Sequence, residues 1–333
     1  MTTTDVPSCG WTADQLRRRL VRYGELIPCR NAFIDTRNPG SEEKENFTII
    51  GPGVSESADQ FVHIPEPHGF NIGAARQPPR CVNSQHSHET AEVFVVHSGQ
   101  WTFNFGEQGE VKLPAGPGAV ASVPTRLFRG FTNVGEDEGF LWVALGGDDP
   151  GHVLWAPHVF DMANDFGLVL LRDGTLVDTA AGQEIPAGAE VMPRTSVEQV
   201  RALGRPDLAT IERCIVTPDQ IPRQPKGPLG ALGIDEHLLI GPGAQLSWPH
   251  GFTLSRVAMP AESLAPAYRH DAKEVWFVHQ GSLTAITGAG ELRLATGDTF
   301  SVPEGLARAW RSEEDMIAFV VRSGDKLPDL TLV

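Results

Sequence analysis

Two histidines one residue apart, with a carboxylate four residues beyond the second, make His86-Ser87-His88-Glu89-Thr90-Ala91-Glu92 the stretch of this chain best suited to hold a metal ion. On an extended strand the side chains of residues i and i+2 share a face, so both imidazoles reach one point and Glu92 adds an oxygen. An unbroken strand would carry Glu92 roughly 13 Å past His88, at about 3.3 Å per residue. Ligands of one ion must approach it to about 2.1 Å, so the chain must bend near Glu89 and Thr90. Two histidines and one carboxylate are the donor set of the facial triad of non-haem Fe(II) oxygenases, which leaves positions open for substrate and O₂. One divalent ion is therefore expected, iron(II) first, with Mn, Ni or Zn as alternatives.

The elements that must position these residues read as strands. From Phe47 onward, short runs of Phe, Val, Ile and Trp, clearest at 93–96, 101–105 and 140–145, are bounded by Gly and Pro, the pattern of a β-sandwich or barrel. The 35 glycines and 26 prolines favour turns over long helices, and the class is all-β. The second half repeats the first: Ile50-Gly-Pro-Gly recurs at Ile240 and Pro67-His-Gly-Phe at Pro249, and one offset of 182 relates His88 to His270, Glu92 to Glu274 and Gly99 to Gly281. Tyr268 stands where the first half has His86, so only His270 and Glu274 remain there and no ion is expected in that half.

His86-x-His88-x3-Glu92-x6-Gly99, followed by Gly118-x5-Pro124 and Asn133, resembles the paired motifs of the cupin family, and the repeat makes the chain similar to bicupins. The resemblance implies two double-stranded β-helix (jelly-roll) barrels. It also implies the chemistry of ring-cleaving (gentisate-like) and flavonol dioxygenases: a metal-dependent dioxygenase acting in the first barrel on a small aromatic or enolic, anionic substrate, in a homo-oligomer. Two residues depart from the pattern. Arg126 stands where a glycine is usual, and Arg129, like Arg308 in the second half, stands where the last histidine ligand is usual. A guanidinium is protonated and has no lone pair for a metal. It can pair with Glu92 or grip a ligand carboxylate, and Arg129 is expected to face the cavity as the catalytic contact to the substrate's anionic group. The alternatives are a metal-assisted isomerase, lyase or decarboxylase, in which the ion acts as a Lewis acid, and a ligand-binding bicupin without chemistry.

His63, His152 and His158 have no counterpart in the second half, and each could complete the metal site from a loop; His68 and His97 recur as His250 and His279, which points to structural roles. Phe94, Val96, Trp101, Phe103, Phe105, Phe128 and Phe131 could line an aromatic pocket or simply form core. The expected division is an N-terminal helix and arm (1–46), a metal-binding barrel (47–180), a connection (181–235) and a degenerate barrel (236–333). Helices are expected at 12–23, opened by the capping box Thr12-x-x-Gln15 with its arginines on a solvated face, and at 196–203. Cys9, Cys29, Cys81 and Cys214 form no C-x-x-C pair and read as free thiols. A net charge of −15, from 27 basic and 42 acidic residues, disfavours nucleic acid and anionic membranes as partners. No membrane span or signal peptide is evident, so a cytoplasmic location is expected.

Overall fold

The computed structural model describes residues 6–7, 10–205 and 207–333. The chain divides into two compact units, Ile27–Thr217 and, together with the chain up to Leu26, Pro218–Val333. The cut at Thr217 falls inside the stretch expected to be a connection, and the first 26 residues belong to the unit built from the far end of the chain.

Each unit is a jelly-roll sandwich of two antiparallel-dominated sheets rather than a closed barrel. In the N-terminal unit the seven-stranded sheet runs, edge to edge, Ile215–Val216, Val120–Val123, Glu92–Ser98, Gly139–Gly146, Phe70–Gln77, Glu45–Ile50 and Val62–Ile64. Its five-stranded partner runs Leu154–Trp155, Val82–Ser87, Arg129–Asn133, Trp101–Phe105 and Val111–Ala115. The C-terminal unit repeats this plan, with Glu274–Gln280 and Met316–Ser323 central in one sheet and Arg308–Ser312 in the other. Apolar residues of the central strands are buried, among them Val93, Phe94, Val95, Trp101, Phe103 and Leu141. His97 and His279 make the same edge-on ring contact in their two units, with Phe140 and Phe319, as structural residues would.

The helix expected at 12–23 spans only Ala13–Arg17. Its capping box forms as predicted, with the Gln15 backbone N–H donating to Thr12 Oγ1 at 3.2 Å and the Thr12 backbone N–H donating to Gln15 Oε1 at 2.9 Å. Sheet pairing then overrides helical periodicity, because Leu20–Val21 pairs with Phe300 and Thr299. This also corrects the reading of the three arginines: Arg19 is buried and donates through Nε to the Ser301 carbonyl (3.0 Å) and through Nη2 to Ser301 Oγ (2.8 Å). The second helix is Val197–Ala202, capped by Ser196. A further helix, Pro157–Asp165, was not among those expected; it opens with a proline at its first turn, where a missing N–H costs nothing. It packs Val159, Phe160 and Ala163 onto Trp155, Phe128 and Val200 in a satellite core. Cys29, Cys81 and Cys214 are free and buried, while Cys9 lies outside the described residues. No helix among the described residues is long and apolar enough to cross a membrane.

Candidate metal centre

Cross-strand register builds the site. His86 lies on Val82–Ser87, where its Cα partner is Arg129, and His88 follows immediately; the chain bends at Glu89 and Thr90 and enters the other sheet at Glu92, opposite Val123 and Leu145. The bend brings together three ligand atoms, one each from His86, His88 and Glu92, all within 4.8 Å of one another. His88 Nε2 is 3.5 Å from Glu92 Oε1 and His86 Nε2 is 3.9 Å from Glu92 Oε2. Ligand atoms bound at about 2.1 Å to one ion stand roughly 3 to 3.5 Å apart, so a small contraction seats an ion. All three residues are buried.

The electrostatics suit the same purpose. Burial, with the Arg129 charge and the neighbouring His88 adding to it, holds the His86 imidazole well below its ordinary range, and burial lowers His88. Both rings are therefore neutral near pH 7 and keep a lone pair. Burial pushes the Glu92 carboxyl up, but His88 and Arg129 overcome that and hold it well below the usual carboxylate range. Neutral imidazoles and an ionised carboxylate are the donor states a divalent cation requires.

Outer contacts fix these donors. His86 Nδ1 lies 2.7 Å from the Ser84 carbonyl, which leaves Nε2 for the site. The Ser84 N–H donates to Asp35 Oδ2 (3.0 Å), and Asp35 is itself paired with Lys44; both are fully buried. Nothing in the local sequence announces this support, since Asp35 and Lys44 lie in a polar stretch that reads as a loop. His88 differs: its Nδ1 is buried and has no hydrogen-bond partner.

Arg129 corrects an expectation. It is fully buried, Nε donates to Glu92 Oε2 at 2.9 Å, Nη2 lies 2.8 Å from the same oxygen, and Nη1 donates to the Leu127 carbonyl at 3.2 Å. It does not line the cavity beside the triad. It holds one oxygen of Glu92 and leaves Oε1 turned to His88. That cavity, of about 70 Å³, is walled by Asn46, Asn83, Phe94, Phe131, Leu145 and Trp155 together with the triad. Of the aromatic residues singled out from the sequence only Phe94 and Phe131 reach it; Trp101, Phe103, Phe105 and Phe128 are core. No loop histidine joins the triad among the described residues. His63 Nε2 accepts from the Ile27 N–H (3.3 Å), His158 faces Gln108 (3.5 Å), and His152 lines a neighbouring cavity.

The equivalent place in the C-terminal unit is filled. Glu274 Oε1 accepts from Trp276 Nε1 (2.7 Å) and Arg308 Nη2 (2.7 Å), and Oε2 from Arg322 Nε (2.6 Å), with His270 Nε2 3.1 Å away. Arg322 Nη1 also donates to Glu236 Oε1 at 2.6 Å. Arg308 lies over the Tyr268 ring, 4.2 Å from its centroid. Every oxygen of Glu274 is engaged.

Residues 255–322 match the family described as Cupin domain. No curated protein sequence matches the chain. Among solved structures it is similar to oxalate decarboxylase from Bacillus subtilis, at 12% identity and a TM-score of 0.59, covering 100% of this chain and 81% of that one. The OxdC deletion variant of the same enzyme gives 11%, 0.59, 95% and 79%. A variant of salicylate 1,2-dioxygenase from Pseudoaminobacter salicylatoxidans is also similar, at 13% identity and a TM-score of 0.50, covering 77% of this chain and 71% of that one. Residues 255–322 thus carry a cupin domain, and the fold of the chain as a whole is similar to that of these two-unit proteins.

Proposed function

We propose that the N-terminal unit is a metal-dependent enzyme site, in which His86, His88 and Glu92 hold one divalent ion against a small carboxylate or enolic substrate. The observation that carries this reading is the meeting of two neutral, buried imidazoles and one ionised carboxylate at the wall of a cavity. When bound, the ion supplies Lewis-acid polarisation of a substrate oxygen and, with a redox metal, reaction with O₂. The chain's own residues do the rest. The Ser84 carbonyl fixes the His86 tautomer, Arg129 keeps Glu92 ionised and oriented, and Phe94, Phe131 and Leu145 exclude water from the reacting end.

Dioxygenase chemistry is the first reading, from the two-histidine, one-carboxylate donor set. The cavity narrows the substrate. At about 70 Å³ it is less than half the roughly 150 Å³ of an apolar cavity known to accept benzene, so a short enolic or carboxylate group fits it and an aromatic ring does not. That size also favours a second reading, decarboxylation. It is the reaction named for the similar Bacillus subtilis enzyme, whose Mn(II) centres are named as well.

The test is metal analysis of untagged protein followed by oxygen-electrode and CO₂ assays on a panel of short keto and dicarboxylic acids. About one ion per chain with substrate-dependent O₂ uptake is expected. CO₂ release without O₂ uptake selects decarboxylation, and protein without metal under iron- and manganese-replete growth ends both readings.

A further inference from the structure

Arg126 occupies the left-handed region at φ +57°, one of three non-glycine residues to do so among those described. The turn requires that conformation. Arg126 N–H donates to the His88 carbonyl (3.0 Å), and in the C-terminal unit Gly305, at φ +72°, donates in the same way to the His270 carbonyl (2.9 Å). Glycine meets the requirement without strain, whereas a residue with a Cβ does not. A strained backbone retained beside a ligand-binding histidine points to a task for the side chain.

That side chain lines a second cavity, of about 370 Å³, with Ser87, His88, Glu89 and His152. The residue is exposed, and its guanidinium has no ion pair or hydrogen bond among the described residues. His88 and Val153 line both this cavity and the inner one. His88 turns Nε2 to Glu92, while its other nitrogen, Nδ1, is buried without a partner. A metal-ligating histidine almost always donates its second N–H to an acceptor, and here the protein provides none. Two unused donors, Arg126 and His88 Nδ1–H, thus belong to residues around one outer cavity. Arg129, the arginine expected to hold an anion, is spent on Glu92.

We propose that the outer cavity is a carboxylate subsite, in which Arg126 grips the distal carboxylate of a short dicarboxylate whose other end occupies the inner cavity. This rests on the reading of the inner cavity as the reacting site. The inner lining has no free cationic side chain, so one carboxylate falls to the ion and the other to Arg126. Glu89, exposed on the same wall, opposes an anion and sets a limit on its affinity.

Calorimetric titration of metal-loaded protein with malonate, succinate, glutarate and acetate tests the assignment, using wild type, Arg126→Gly and Glu89→Gln. At least one of the dicarboxylates should bind wild type more tightly than acetate. Arg126→Gly should weaken it tenfold or more and raise the melting temperature through relief of strain, with metal content unchanged. Glu89→Gln should strengthen binding severalfold. Equal dicarboxylate affinity in wild type and Arg126→Gly, or no dicarboxylate binding to wild type, overturns the subsite. The same titration on chelator-treated protein separates the two readings: Arg126-dependent binding by a protein that never takes up metal would keep the subsite and remove the metal centre.

Discussion

One duplicated frame carries two opposite solutions for a buried glutamate. Glu92 faces Leu145 across the sheet where Glu274 faces Arg322, and Asn46 lies beside Ala75 where Glu236 lies beside Val257. In the C-terminal unit the extra Arg322, with Trp276 in place of Phe94, joins Arg308 in occupying both oxygens of Glu274, and the extra Glu236 accepts from the other end of Arg322. In the N-terminal unit the same positions are apolar or small and neutral, so Glu92 keeps one oxygen free and a cavity remains. The fold alone therefore does not decide whether a unit of this kind can take a ligand. A buried carboxylate must be compensated by something, and if the protein supplies enough cationic and N–H groups, nothing is left for an ion.

The largest effect should come from breaking the two sites in parallel. His88→Ala removes one of the three proposed ligands and should abolish metal content measured by mass spectrometry, whereas His270→Ala should leave it unchanged. Equal loss from both would erase the contrast between the units. Next is Arg322→Leu, which gives the C-terminal unit the residue that stands opposite Glu92. It leaves Glu274 and Glu236 short of their shared cation, and urea unfolding should show a loss of about 3–5 kcal/mol. Adding Glu236→Asn, to match Asn46, should recover part of that loss; strictly additive costs would mean that the charges do not act as a unit.

Smaller effects sharpen the description of the N-terminal site. Asp35→Asn weakens the contact that holds the Ser84 peptide behind His86, and metal affinity in a chelator competition should fall about tenfold. Unchanged affinity in a less stable protein would reduce Asp35 to a strut. Glu56 gives a pH signature. It accepts from Trp155 Nε1 (2.7 Å) and the Ile34 N–H (2.8 Å), and burial pushes its carboxyl from 4.5 up to about 8. Its folded form therefore binds more protons than its unfolded form between those values, so its contribution to stability is full at low pH and drains away as pH rises toward 8. Glu56→Gln should flatten the fall in unfolding free energy between pH 5 and 8, whatever it does to the plateau. An unchanged slope would assign that pH dependence elsewhere.

What could be read from the sequence was what is local or repeated. The His-x-His and Glu spacing, the bend it demands and the constant offset of 182 lie within short windows or one comparison of halves. The cupin resemblance followed from the same motifs. Arg129 was legible as a residue unable to bind metal, but its choice between Glu92 and a substrate was not, because that depends on which side of the strand pair the guanidinium crosses. Leu145 and Asn46 carried no signal at all. Their meaning arises only from register between strands distant in the chain, as does that of Arg322 and Glu236. The shortened first helix fails for the same reason: Leu16, Leu20 and Val21 have helical spacing, yet pairing of Leu20 with Phe300, 280 positions on, and of Val21 with Thr299 decides the conformation of the last two.

That pairing bears on the order of biosynthesis. The segment that carries Arg19 leaves the ribosome 282 positions ahead of its hydrogen-bond partner Ser301. It must stay unpaired while the whole intervening unit, Ile27–Thr217, is made and can fold. Until Leu20–Val21 docks, the strand Thr299–Val302 presents an open sheet edge, the kind of surface that recruits other chains. A nascent chain of this protein thus closes its later-made unit with a strand made before the intervening one, and a cut that removes Leu20–Val21 would leave a template for aggregation rather than a merely smaller protein.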